Sequence, residues 1–292
     1  MRKILFFLIT FSVCASVRAQ TPTLFIIGDS TVKNSGANVQ GWGDPIADLF
    51  DQSKIKVVNR ARGGRSSRTF QSEGLWDQVR AEMKRGDFLL MQFGHNDGGP
   101  VNDESRARGS LPGTGNEIEE ISNRVTKQYE IVHTYGWYMR KYVKDAKAKG
   151  VTVIVVSQVP RNIWIEGKVE RIADTFGGWA ESSARSEGAF FIDLNEIVAR
   201  KYESIGPEKI SKDYFFGDHT HTSPTGALLN AQSVVEGLRA LRKCPRHLLE
   251  IISLCVSAVN RRGTAQQSRN QTGERCQVMS WFVLHPGGVR CL

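Results

Sequence analysis

The chain has 292 residues, 40% of them hydrophobic, and a formal net charge of +9, which bounds it to one large domain or two small ones. The charge sits at the ends: residues 1–19 carry +3 and residues 244–292 carry +4, leaving +2 for residues 20–243. A body so close to neutral implies no basic face, which argues against nucleic acid as a partner.

The first element is the opening "MRKILFFLITFSVCASVRAQ". Arg2 and Lys3 precede an apolar run from Ile4 to Val17, and Val17-Arg18-Ala19 supplies a small-residue cleavage site. This reads as a secretory signal over residues 1–19, cut after Ala19, and predicts a secreted or periplasmic protein. The run is too short to span a bilayer, so no membrane association is expected after cleavage. Cysteine follows the same division. Cys14 leaves with the signal, and Cys244, Cys255, Cys276 and Cys291 lie in the tail. The body from 20 to 243 has none, is large enough to rest on its core, and has neither a cysteine nucleophile nor a thiolate metal site.

Within the body, short apolar runs predict strands at Leu24–Ile27, Ile55–Val58, Phe88–Phe93 and Val151–Val156, with a fifth at Ala189–Leu194. Helical patterns alternate with them at Trp42–Phe50, Leu75–Arg85, Thr134–Lys149, Thr175–Glu187 and Ala227–Leu241. Strands apolar on both faces that alternate with helices predict an α/β fold, a parallel sheet covered on both sides. Ligands bind such sheets outside the carboxyl ends of the strands. The polar clusters fall there: Gly28-Asp29-Ser30 after strand one, Arg62-Gly63-Gly64-Arg65 after strand two, and Gly94-His95-Asn96-Asp97 after strand three. A loop as long as "GGPVNDESRARGSLPGTGNEIEE" is uncommon unless functional. Near the end, "FFGDHTHTSPTGA" places Asp218, His219 and His221 ahead of a helix with Ser223 as N-cap and Pro224 at its first position. The tail, residues 244–292, breaks the alternation, and we assign it no function.

Ser30 closes a strand and enters a loop, where a side chain faces the ligand crevice. Its position suits a nucleophile, although a turn or cap serves a lone serine equally well. Ser30-Thr31-Val32-Lys33 fits the S-x-x-K pattern of penicillin-binding proteins, but Asn34-Ser35-Gly36 forbids the required helix and no K-T-G follows. Val32 also breaks the G-x-S-x-G elbow of α/β-hydrolases. Gly64 suits an oxyanion donor or a plain turn, and Asn96 an oxyanion donor or a cap. Asp29 and His95 read as braces of their loops. Asp218, His219 and His221, completed by His95 or Asp97, have the residue types of a metal site. In the alternative, Asp218 folds back across three residues to orient His221, which takes a proton from Ser30. We expect His221 as the base and His219 as a supporting loop residue.

Taken in order, these blocks resemble the SGNH, or GDSL, hydrolase superfamily. Within it, "GDSTVKN", "GWGDPIADLF", "ARGGRSSRTF", "QFGHNDGG" and "DHTHTSPTGA" are similar to the rhamnogalacturonan acetylesterase group, over about residues 22–243. The resemblance implies a three-layer α/β/α sandwich with a parallel, about five-stranded, flavodoxin-like sheet in a catalytic domain over residues 20–243, and no cofactor. It implies Ser30 as nucleophile with Asp218 and His221, and Ser30, Gly64 and Asn96 as oxyanion hole. Gly64 is preferred to Gly63 because the family glycine directly precedes Arg-Ser. The implied substrate is an acetylated plant cell-wall polysaccharide, pectic rhamnogalacturonan, with acetylxylan, other cell-wall acetyl esters and lipid thioesters as alternatives. Arg65, Arg68, Arg106 and Arg108 are candidates to meet uronate carboxylates. Trp42, Trp164 and Trp179 are candidates to stack on sugars, with core packing the expected role for each. A metal-dependent hydrolase and a non-catalytic carbohydrate-binding protein remain as competing functions.

Overall fold

The computed structural model describes residues 21–241. The expected signal, both ends of the expected 20–243 domain, and the 244–292 tail lie outside the described residues. Strands β1 (Thr23–Gly28), β2 (Lys56–Asn59), β3 (Phe88–Gln92), β6 (Thr152–Val156) and β9 (Phe190–Ile192) form one sheet in the order β2-β1-β3-β6-β9. Every pairing in it is parallel. Two short hairpins, β4 (Ile118–Ser122) with β5 (Tyr129–His133) and β7 (Trp164–Ile165) with β8 (Lys168–Val169), stand apart from it.

Alternation along each strand divides the core in two. Leu24, Ile26, Phe88, Leu90, Ile154, Val156 and Ile192 face helices α5 (Leu194–Ile205) and α7 (Pro224–Ala240). Phe25, Ile27, Leu89, Met91, Val153 and Val155 face α1 (Ser67–Ser72), α2 (Leu75–Glu82), α3 (Tyr135–Ala148) and α4 (Phe176–Ser186). A short α6 (Pro207–Asp213) packs beside α5. Each such aliphatic side chain, fully buried, stabilises the fold by roughly 1.5–3 kcal/mol, and the result is the expected three-layer sandwich.

The strand order places the chain reversal between β1 and β3. The first strand is flanked by the second on one side and the third on the other, so the loops leaving β1 and β3 diverge and open a crevice at their carboxyl ends. Ser30 follows β1 and Asn96 follows β3, which sets both at this crevice.

The structure departs from the sequence reading in identifiable places. The helix expected at Trp42–Phe50 shrinks to a 3-10 turn at Ile46–Leu49. Its early N–H groups are engaged elsewhere: those of Trp42 and Gly43 donate to Thr31 and Val32 carbonyls at 2.9 and 2.8 Å. Trp42 itself is fully buried, its Nε1 donating to Gln92 at 2.9 Å, so it stacks on no ligand. Trp179 is half-buried and packs against Phe176 with ring centroids 4.9 Å apart. α1, α5, α6 and both hairpins were not foreseen. Among the described residues, no helix is long and apolar enough to cross a membrane.

Candidate active site

Ser30 sits on a turn where the N–H groups of Val32 and Lys33 donate to the Asp29 carbonyl at 3.2 and 3.1 Å. The strand end before it is tightly packed. A Cβ on Gly28 would lie 2.5 Å from the Gln92 carbonyl oxygen and 2.5 Å from Val32 Cγ2, so only glycine fits. Asp29 is fully buried and its Oδ1 accepts from Thr31 N at 2.9 Å and Thr31 Oγ1 at 2.8 Å. Gln92 Nε2 donates onward to Thr31 Oγ1 at 2.6 Å, while Gln92 Oε1 accepts from Trp42 Nε1 and, at 3.3 Å, from Val159 N. This network joins the loops after β1, β3 and β6 behind the serine.

His95 extends the brace. Its Nε2 lies 3.0 Å from the Val159 carbonyl, and its Nδ1 faces Asp29 Oδ2 at 3.4 Å, an ion-pair distance too long for a hydrogen bond. Burial pushes the Asp29 carboxyl up, but His95 and the Thr31 donors outweigh it and hold it below the usual range.

The second half of the site comes from the loop before α7. Asp218 Oδ1 accepts from the N–H groups of Thr220 at 2.6 Å and His221 at 2.7 Å, a turn that folds the carboxylate back on the ring. Asp218 Oδ2 then stands 2.6 Å from His221 Nδ1, and His221 Nε2 stands 2.9 Å from Ser30 Oγ. An ionised carboxylate only accepts, so Nδ1 carries the hydrogen and Nε2 presents its lone pair to the serine O–H. Burial raises the Asp218 carboxyl, yet the His221 and Thr220 donors pull it below its ordinary value. The loop is sewn to the Ser30 side by Gln40 N to the Thr222 carbonyl and Thr222 Oγ1 to the Gln40 carbonyl, both 2.9 Å.

Between these halves lie Gly64 and Asn96. Gly64 has φ +78°, a left-handed turn that disfavours any side chain. The neighbouring Gly63 comes so close that a Cβ there would stand 3.6 Å from Ser30 Cβ. Asn96 is buried, and its Nδ2 donates one hydrogen to the Arg65 carbonyl at 2.9 Å, leaving the second amide hydrogen unassigned. Among the described residues, the N–H groups of Ser30 and Gly64 donate to no protein acceptor. The Ser30 hydroxyl thus faces a base, and the N–H groups of Ser30 and Gly64 and one Asn96 amide hydrogen are left, among the described residues, without a protein acceptor.

Asp97 does not join them. It is buried under Ser67 and Ser110, accepting from Ser67 N at 3.1 Å, from Ser67 Oγ, and from Ser110 Oγ at 3.1 Å. Burial, with a contribution from Asp29, pushes its carboxyl up to about 6. His219 is exposed and contributes its carbonyl to Asn162 N at 2.8 Å. The residue set considered for a metal is therefore dispersed, and among the described residues no group of three His, Cys, Asp or Glu side chains is placed to hold an ion.

The four arginines separate. The expected substrate contact through Arg68 is corrected: its side chain is fully buried, inside the second residue of α1. Arg68 Nε and Nη2 donate to Glu130 at 2.7 and 2.5 Å, and Nη1 to the Val101 and Gly109 carbonyls at 2.8 Å each. A buried guanidinium requires such a partner, and Glu130 on β5 could not be paired with it from spacing alone. Arg65 is engaged by Glu73 at 2.8 Å and the Gly63 carbonyl at 3.1 Å. Arg106 and Arg108 face a cavity of about 350 Å³ that Gly64 also lines. Arg108 Nη1 donates to the Gly64 carbonyl at 3.1 Å, a contact with no signal in the sequence.

The chain is similar to known proteins over this region. The model of the GDSL-like lipase/acylhydrolase family matches residues 26–229. A rhamnogalacturonan acetylesterase of Emericella nidulans is 32% identical over 232 residues, 79% of this chain and 89% of its own. The rhamnogalacturonan acetylesterase RhgT of Bacillus subtilis is 28% identical over 235 residues, 75% of this chain and 90% of its own. Among solved structures, the Bacillus subtilis protein YxiM is matched with a TM-score of 0.60 at 26% identity, over 75% of this chain and 56% of that one. The acetylxylan esterase Axe2 of Geobacillus stearothermophilus has a TM-score of 0.51 at 17% identity, over 76% of this chain and 97% of its own, a likeness of fold alone.

Proposed function

We propose that this chain, which belongs to the GDSL-like lipase/acylhydrolase family and is a carboxylic ester hydrolase, removes acetyl groups from acetylated rhamnogalacturonan through an acetyl-Ser30 intermediate. The observation that carries the reading is the line from Ser30 Oγ through His221 to Asp218, with contacts of 2.9 and 2.6 Å. His221 Nε2 takes the serine proton as Oγ attacks the acetyl carbonyl carbon. The carbonyl oxygen becomes negative and is received by the N–H groups of Ser30 and Gly64 and the Asn96 amide. Asp218, ionised, holds the ring in register and stabilises its cation. The tetrahedral adduct then breaks its bond to the sugar oxygen, which takes the proton from His221. A water, deprotonated by His221, attacks the acetyl-enzyme, acetate leaves, and Ser30 recovers its proton. No step calls for a cofactor.

The polymer is argued from likeness. Two relatives named as rhamnogalacturonan acetylesterases align along 89% and 90% of their own lengths, and the blocks that hold the site fall within residues 26–229 of the family match. The leader-like residues 1–19 fit an enzyme that meets its plant cell-wall substrate outside the cell or in the periplasm.

The test is acetate release from acetylated rhamnogalacturonan, with acetylated xylan alongside, by the protein and its Ser30→Ala variant. Preferential release from the pectic polymer, abolished in the variant, is the expected result. Serine-dependent release from xylan alone would retain the mechanism and discard the substrate. Release indifferent to Ser30→Ala would remove both.

A further inference from the structure

We infer that the cleft between Arg106, Arg108 and Gly64 is a carboxylate-recognising subsite, filled by a uronate of the acetylated polymer while the acetyl group lies at Ser30. This deepens the function proposed above and rests on it. The cleft holds about 350 Å³ and is walled by Gly64, Arg65, Thr69, Arg106, Arg108 and Val125, among others. Gly64 lines this cleft, and Gly63 before it abuts Ser30, where a Cβ would stand 3.6 Å from the serine Cβ, so the cleft adjoins the nucleophile.

The charges inside it do not balance. Glu73 lines the cleft but is paired with Arg65 at 2.8 Å. Asp103 accepts Ser105 Oγ at 2.7 Å and Arg106 N at 2.8 Å, and also bonds Ala107 N, so its oxygens are turned into their own loop. Among the described residues, neither Arg106 nor Arg108 has a carboxylate within 4.0 Å. Arg108 is half-buried, and burial and then the like charge of Arg106 depress its pKa, outweighing the opposite pull of Asp29, Asp103 and Asp97. A partly desolvated cation beside another cation is stabilised when an anion arrives.

The loop is built to keep the two side chains there. Ala107 is buried with φ 41°, a left-handed conformation uncommon for a residue other than glycine. It is held by Asp103 on one side and by Gly109 N to the Pro100 carbonyl at 2.9 Å on the other. Arg108 is fixed further by its donation to the Gly64 carbonyl, which leaves the rest of its planar fork for a carboxylate. A methyl-esterified uronate would present no charge here. Methyl-ester hydrolysis therefore speeds this deacetylation wherever the polymer arrives esterified.

The experiment uses the full chain and compares kcat/KM on acetylated rhamnogalacturonan with that on uncharged acetylated xylan. Losing a charge-assisted hydrogen bond lowers the ratio of the two by about tenfold for Arg108→Gln, and by a few-fold for the more exposed Arg106→Gln. Methyl-esterifying the pectic substrate lowers the wild-type ratio similarly and leaves the double variant little changed. A ratio indifferent to both substitutions and to esterification would overturn the subsite, even with Ser30-dependent turnover intact. A separate arm measures binding of deacetylated rhamnogalacturonan oligosaccharides to Ser30→Ala by calorimetry. Weaker binding after adding Arg106→Gln and Arg108→Gln supports the subsite even if the wild type releases no acetate from this polymer, and equal binding overturns it.

Discussion

Removing the Glu130 carboxylate should destabilise this protein far more than removing an exposed carboxylate that also takes two bonds from an arginine. Glu130 takes two of the four hydrogen bonds of Arg68, whose side chain is fully buried. Glu82 likewise takes two bonds from Arg60, both from Nη2 at 2.9 and 2.7 Å, but those side chains are 43% and 46% exposed. Breaking the exposed pair leaves both ions in water and costs ~0–1 kcal/mol. Glu130→Ala leaves a guanidinium inside the protein with two carbonyls and no counter-charge, a loss of ~3–5 kcal/mol. For a domain of this size that lowers Tm by roughly 6–20 °C. Urea unfolding of Glu130→Ala and Glu82→Ala would measure the difference as a shift in midpoint at constant slope. The pH dependence has a defined sign. Burial raises the Glu130 carboxyl, but Arg68 and Asn123 donate to it and hold it below its ordinary value. Its stabilisation is therefore present above the unfolded carboxylate pKa and lost as pH falls through the folded one, so the deficit of Glu130→Ala narrows in acid. If the two variants unfold within 1 kcal/mol of each other at neutral pH, the buried-pair argument is wrong, in a range where ~3 kcal/mol was expected.

Asn96→Ala should lower kcat by about 100- to 1000-fold while the protein still folds, measured by acetate release and circular dichroism; near-normal turnover would remove Asn96 from the oxyanion donors. Asp97, with a carboxyl raised to about 6, contributes stability that is full below the unfolded pKa near 3.8 and lost as pH rises through 6. Against Asp97→Asn, wild type should lose on the order of 3 kcal/mol between pH 4 and pH 7, and parallel stability curves would contradict this. Gly28→Ala drives a methyl into the Gln92 carbonyl and Val32, so unfolding should cost ~1–3 kcal/mol less and the Ser30 loop should shift, read as a fall in kcat. Unchanged kcat and stability would show that the strand end yields without consequence.

The sheet was legible because its strands are apolar on both faces, as in Phe88–Gln92, and the helices between them repeat on one face. α1 was not, since Ser67–Ser72 is too short to show a period and begins from the Ser66–Thr69 capping pair. α5 was missed because Leu194 continues the apolar run of β9, while Asp193 caps the helix in the middle of it. The long stretch after β3 was recognised as unusual, but its hairpin carries an exposed face, with Ile118 52% and Tyr129 64% accessible, and gives no clean alternation. At the site, the spacing Asp218-x-x-His221 contained its own geometry, because a short turn closes it. The burial of Arg68 and the grip of Arg108 on Gly64 depend on partners 62 and 44 residues away, and no local pattern records them.

The contact between Ser30 and His221 spans 191 residues, from the first loop of the fold to the one ahead of its last helix. Loops this distant close late, after the intervening contacts have formed. The nucleophile precedes its base along the chain by the rest of the sheet, both hairpins and six helices. Only when the Asp218–Thr222 turn docks against Gln40 does the serine acquire an acceptor for its proton. The onset of hydrolysis during refolding should therefore follow the spectroscopic signs of helix and sheet and mark the closing of the fold.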